Sequence, residues 1–199
     1  MHLHGESLRR YRGVSPLPLA VFDFQIGVMW MHNGELDRAR DHLSAACCYV
    51  PAYAPAQGHL AEVEAELGNI EAAIALLRPL ALSSDDPDYA AQLAHIIADA
   101  GNAEDARYWR QLAAARYEEL LALHPEAFAD HAADFCLGAG ADPKRALHLA
   151  RMNFSVRKTP RAQALLSRAV AAQRDSGVHW TTNENVAPGP SFTTAHKRP

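Results

Sequence analysis

The sequence predicts an all-α solenoid of antiparallel helix pairs, about four pairs followed by one further helix. Three observations lead there. Turn glycines recur at Gly34, Gly68, Gly101 and Gly140, spaced 34, 33 and 39 residues apart. Around each turn the same columns hold small residues: Gly27, Ala61, Ala94 and Ala133 before it, Ala39, Ala73, Ala106 and Ala146 after it. Large aliphatic residues stand next to the first column at Ile26, Leu60 and Leu93. Small residues let two helix backbones approach, and large neighbours fill the space beside them. The composition agrees, because 49% of residues are hydrophobic but only 8% aromatic. Ala and Leu dominate, and both are strong helix formers.

Taken in order, residues 1–16 read as an irregular segment punctuated by Gly5, Gly13 and Pro16, with a basic cluster at Arg9, Arg10 and Arg12. This segment lacks a continuous apolar run and a small-residue cleavage site, so it does not read as a signal peptide. Helices are expected at 17–32, 36–49, 54–67, 70–82, 87–100, 103–123, 126–138, 143–156 and 160–174. The run from Pro18 to Met31 is apolar but broken by Asp23 and Gln25. A membrane span needs about 20 apolar residues, so no membrane crossing is expected and this run reads as a buried helix. Asp86-Pro87, Asp142-Pro143 and Thr159-Pro160 each set a capping oxygen before a proline at the first helical position. There the missing N–H costs nothing. From Gly101 to Pro125 is 24 residues against 17 from Gly34 to Pro51. The second helix of the third pair should therefore be longer than its counterparts by about two turns. Beyond Arg174 the helical period is lost among Thr, Asn, Pro and Gly, and 175–199 reads as a tail of low order.

The repeating unit, with its small and large columns, resembles the tetratricopeptide repeat (TPR) family over residues 17–174. The resemblance implies a right-handed solenoid and a non-enzymatic protein-interaction role. It is clearest in the repeats beginning at Ala20 and Ala54, and a fifth unit beginning at Pro160 has only its first helix. The aromatic residue usual in the family's first helix is replaced by Asp23, Gln57 and Ala90.

Residues with potential chemistry do not converge in the sequence. His2 and His4 form an HxH pair, His95 and Asp99 lie one turn apart, and Asp130, His131 and Asp134 cluster on another helix. A metal site needs three or four convergent ligands, and none of these groups supplies three in one strong motif such as HExxH. Cys47, Cys48 and Cys136 lack CxxC spacing and read as reduced thiols of a cytoplasmic protein, Cys136 in a core-facing column. No GxSxG, Walker or dinucleotide-binding motif is present, so neither a catalytic residue nor a cofactor is expected.

Charge is segregated. Residues 54–142 carry sixteen Asp and Glu against four Arg, whereas 143–174 carry eight Lys and Arg and no acid. With a pI near 6.2, the basic end does not make a nucleic-acid footprint. In the family the first helices of successive pairs line a concave groove. By resemblance this groove holds Phe24, Val28, Met31 and His32, then Glu62 and Glu66, then Ala91, His95 and Asp99, then Asp130 and Asp134. The family's co-chaperones that grip a carboxylate use Lys, Arg and Asn on these faces, so that subclass is not expected. The expected ligand is a basic protein segment with an apolar anchor near Phe24, Val28 and Met31. The alternative is a structural or self-associating solenoid subunit, the acidic middle of one copy against the basic end of another, and a metal-binding enzyme is the third reading.

Overall fold

The structure, a computed structural model, describes residues 13–181, with side chains described as far as Ser176. The HxH pair at His2 and His4, the arginine cluster and most of the expected tail lie outside the described residues. Helices α1 (Leu17–His32), α2 (Leu36–Tyr49), α3 (Ala54–Glu66), α4 (Ile70–Ser83) and α5 (Pro87–Asp99) follow the expected periods. So do α6 (Ala103–Leu123), α7 (Pro125–Leu137) and α8 (Pro143–Val156), and α9 (Pro160–Thr181) closes the array. The helix α6 has 21 residues against 14 in α2, which is the anticipated extension. One expectation is corrected: α9 does not stop at Arg174 but continues to Thr181, so the first seven residues of the expected tail are helical. The segment Asp175-Ser176-Gly177 contains no proline to halt the helix, and polar composition alone does not.

Each turn ends one helix and starts the next with almost no intervening chain. At the first turn Gly34 sits at φ 75°, its N–H bonded to Met31 O, while the Glu35 N–H reaches Trp30 O. That double bond is the Schellman arrangement, and it needs a left-handed residue that glycine supplies without strain. The second and third turns repeat it at Gly68 (φ 86°) and Gly101 (φ 87°). In the third, Asn102 serves both helices: its N–H bonds to Ile97 O in α5, and its Oδ1 accepts from the Asp105 N–H in α6 at 3.2 Å. The fourth turn differs. Ala141 (φ 49°), not Gly140, takes the left-handed position. Gly140 is required for a different reason, since a Cβ there would lie 3.0 Å from Cys136 Cα. Asp86, Asp142 and Thr159 all cap their helices as the proline pairs suggested.

Packing follows the columns. Ala61, Ala73, Ala94, Ala106, Ala133 and Ala146 are all buried, as are Ile26, Leu60 and Leu93. The first-pair column is glycine because α1 and α2 approach so closely that a Cβ on Gly27 would stand 2.7 Å from Leu43 Cγ. Where the usual aromatic is replaced, Asp23 is only 5% exposed and meets His42 Nδ1 at 2.7 Å, a polar bridge between α1 and α2. Arg116 in α6 donates to the carbonyls of Ala81 and Ser84 at 2.9 and 3.0 Å, satisfying orphan acceptors at the end of α4.

The topology sets the curvature. Successive first helices (α1, α3, α5, α7, α9) touch one another, whereas among the described residues the second helices of successive pairs do not. A stack whose members approach on one side only must bend toward that side. The first helices therefore line the concave face.

Candidate partner-binding groove

Two connected hollows occupy the concave face. The larger, of about 490 Å³, crosses α3, α5, α7 and α9 and is lined by Glu62, Ala91, His95, His131, Asp134 and Arg161 among others. The smaller, of about 340 Å³, lies between α3 and α5. Ala65, Ile70 and Ile96 form its apolar floor, and Glu62, Glu66, His95 and Asp99 form its rim. Of the sequence-derived candidates, the geometry thus brings together Glu62, Glu66, Ala91, His95, Asp99 and Asp134.

The others are placed differently. Phe24, Val28, Met31 and His32 line neither hollow. Phe24 is half-buried, edge-on to Tyr53 at 5.4 Å and tilted on His59 at 5.5 Å, and it packs with Met31 on the core near Leu43 and Leu60. Val28 is half-buried and His32 exposed. Asp130 is largely covered, 18% exposed, with Arg157 at 3.8 Å.

The acidic stretch expected along the groove from Glu62 to Asp134 is interrupted in its far half, because the basic end of the chain folds against it. Arg168 of α9 pairs with Asp134, Arg157 with Asp130, and Arg161 itself lines the larger hollow. Arg145 likewise pairs with Glu118 on α6 at 2.5 Å. Charges segregated along the sequence are therefore partly neutralised within one molecule. At the near end, Glu62 and Asp99 meet only histidines, His59 at 3.2 Å and His95 at 3.6 Å, and Glu66 forms no ion pair among the described residues.

A polar cluster that the sequence did not announce bridges α5, α6 and α7. The Tyr117 hydroxyl donates to Asp88 Oδ1, and His131 Nδ1 lies 3.0 Å from Asp88 Oδ2. Phe135 stacks on Tyr117 with ring centroids 5.2 Å apart. The hydrogen bond to Asp88 raises the His131 pKa above its ordinary value, against the opposing effect of burial. Burial works to raise Asp88, yet the bonds from His131 and Tyr117 and the charges of His131 and Arg161 leave it below the usual carboxylate value. Burial, then Asp88, pushes the Tyr117 phenol upward. Residues 43 positions apart make this cluster, and only the repeat frame, which sets Asp88 and His131 on consecutive first helices, could have signalled it.

Among the described residues no three His, Cys, Asp or Glu side chains converge as a metal-binding group. The cysteines are unbridged: Cys136 is buried and its thiol pushed up to about 11 by desolvation, Cys47 is half-buried and Cys48 exposed. No described helix is long and apolar enough to cross a membrane.

Comparison with known proteins places this geometry. Residues 31–96 match the family model described as tetratricopeptide repeat. No curated protein matches the sequence. Among solved structures, the chain is similar to TTC0263, a thermophilic TPR protein of Thermus thermophilus, at 15% identity and a TM-score of 0.54, over 83% of this chain and 93% of that one. It is also similar to MamA at 15% identity and a TM-score of 0.50, over 89% and 88% of the two chains. At such identity the likeness is one of fold.

Proposed function

We propose that this chain, which belongs to the tetratricopeptide repeat family, is a non-enzymatic interaction module that holds an extended or helical segment of a protein partner in its concave groove. The observation that carries the reading is the near hollow of the groove: an apolar floor rimmed by Glu62, Glu66 and Asp99, with no lysine or arginine among the residues that line that hollow. A basic segment fits that rim, and an apolar anchor of the same segment would rest on α1, where Val28 and Met31 keep part of their surface open. Three free cysteines suit a reducing, cytoplasmic setting. Groove binding is favoured over self-association through opposite charges, since three of the eight cations of the basic end, Arg145, Arg157 and Arg168, already pair inside the molecule.

The experiment is affinity capture with mass spectrometry, then binding kinetics with the partner obtained. Charge reversal by Glu62→Lys with Glu66→Lys should slow association and flatten its salt dependence, because rim charges act mainly on encounter. If the reversed variant associates as fast as wild type at low salt, the groove is not the surface in use.

A further inference from the structure

The near hollow has a more specific design than an acidic surface. Glu66 is the last residue of α3 and Asp99 the last of α5. Helix C-termini carry partial negative charge and favour cations, so acids there act against their own helices. Glu62 and Glu66 add a like-charge pair one turn apart, again unfavourable locally. No basic residue stands in the last turn of either helix. Four sources of negative potential, two helix ends and two carboxylate groupings, thus converge on one cleft that contains no Lys or Arg. The floor is apolar, formed by Ala65, Ile70 and Ile96, and a compact hydrated metal ion would gain nothing from it. At 340 Å³ the hollow is at the small end of ligand pockets, which span about 300–1,000 Å³. It has room for one long side chain rather than a helix.

The molecule supplies its own comparison. Two pairs further along the same face, Asp130 and Asp134 face arginines of this chain, Arg157 and Arg168. The equivalent acids between α3 and α5 have no such partner among the described residues. Resting on the groove-binding reading above, we propose that the hollow between α3 and α5 is a receptor for a single arginine side chain of the protein partner. Its aliphatic stem lies on Ala65, Ile70 and Ile96, and its guanidinium sits among Glu62, Glu66 and Asp99. Arginine is specified over lysine because the carboxylates stand on two separate helices. A planar fork of donors can address both at once, whereas an ammonium is a point charge.

The test needs no partner. Nα-acetyl-arginine N-methylamide is titrated into the isotopically labelled full chain and followed by NMR, with the lysine and citrulline analogues and free L-arginine in parallel. Saturable shifts are expected at the amides of residues 62–66 and 92–99, weakening as salt rises from about 20 to about 300 mM. The neutral citrulline analogue should bind at least about tenfold more weakly, as should arginine amide to the variant Glu66→Gln with Asp99→Asn. Glu71→Gln, on exposed α4 surface, should bind as wild type. Should the double variant lose helical circular dichroism, Asp99→Asn alone carries the comparison. Equal binding of the citrulline or lysine analogue, or shifts centred elsewhere, overturns the assignment. Tighter binding of free arginine than of the blocked amide overturns the protein segment as its source. A captured partner that still depends on Glu62 and Glu66 while the arginine amide fails to bind would leave the groove reading standing and remove only this receptor.

Discussion

Gly27→Ala is the sharpest probe of how the first helix pair is packed, because two effects of known sign oppose each other there. In the interior of α1, alanine gains about 1 kcal/mol of helix propensity over glycine. Against this, the new Cβ would stand 2.7 Å from Leu43 Cγ and 3.0 Å from Leu43 Cδ2. Carbon atoms rest about 3.5–4.0 Å apart, so Leu43 must retreat by about 1 Å. It has nowhere to go, being 0% exposed and among the largest fully buried side chains. Overpacking of this kind costs about 1–3 kcal/mol, and the clash therefore outweighs the propensity gain by about 1 kcal/mol. For a domain of this size that lowers Tm by about 3 °C. The decisive arm is the background Leu43→Ala, which removes both clashing atoms. There the same Gly27→Ala change should stabilise, since the propensity gain and the partial filling of the cavity outweigh the one tight contact left, 3.3 Å to the Ala39 carbonyl oxygen. Urea melts of the four proteins, with their m-values compared, measure the reversal of sign. If Gly27→Ala raises stability in the wild-type background, the close approach of α1 and α2 is not as described.

Three further outcomes are expected. Ala73→Leu or Ala106→Leu, each at a fully buried column position, should lower stability by about 1–3 kcal/mol, and unchanged thermal melts would refute the repeat frame. Arg116→Ala should cost about 1–2 kcal/mol, because it leaves the Ala81 and Ser84 carbonyls without their charged donor, and a melt equal to wild type would show that solvent replaces it. The Asp88–His131 pair should make stability depend on pH. The raised pKa of His131 gives a contribution that is full below its ordinary value of 6.5 and fades as pH rises through the folded value. The lowered pKa of Asp88 gives one that is present above 3.8 and lost as pH falls through its depressed value. The Tm gap between wild type and His131→Gln should thus be widest between about pH 4 and 6.5 and narrow above it, and a gap independent of pH would remove the pair from the account.

The frame of the fold was legible because the packing rule repeats: one small residue per helix, at one offset from each turn, announces itself several times over. The length of α6 was legible from a simple count between Gly101 and Pro125. Gly140 misled, since a glycine wanted for close approach to Cys136 looks in sequence like one wanted for a left-handed turn, and the latter role falls to Ala141. The end of α9 was missed because its last turns have no apolar period to read. In the groove, the near-end acids followed from their helix positions alone. The pairing of Asp134 with Arg168 did not, because it depends on how α9 is set against α7 across 34 residues of sequence. Phe24 shows the converse: its helix position allowed a groove-facing ring, and its contacts with Tyr53 and His59, which leave it half-buried, were not legible from that position alone.

The shared residue at the turns has a consequence for how such a chain can vary. Where Asn102 closes one helix and opens the next, the joint has no slack, and the angle between neighbouring helices is fixed by a single residue. A residue inserted at that joint would swing every later helix about it. Residues added at the far end of a second helix, as in α6 before His124 leads into α7, alter how far that helix reaches and leave the Asn102 joint as it was. Reach and curvature are therefore separately adjustable: new surface can be grown at helix ends, two turns at a time, without remaking the groove that the joints hold in shape.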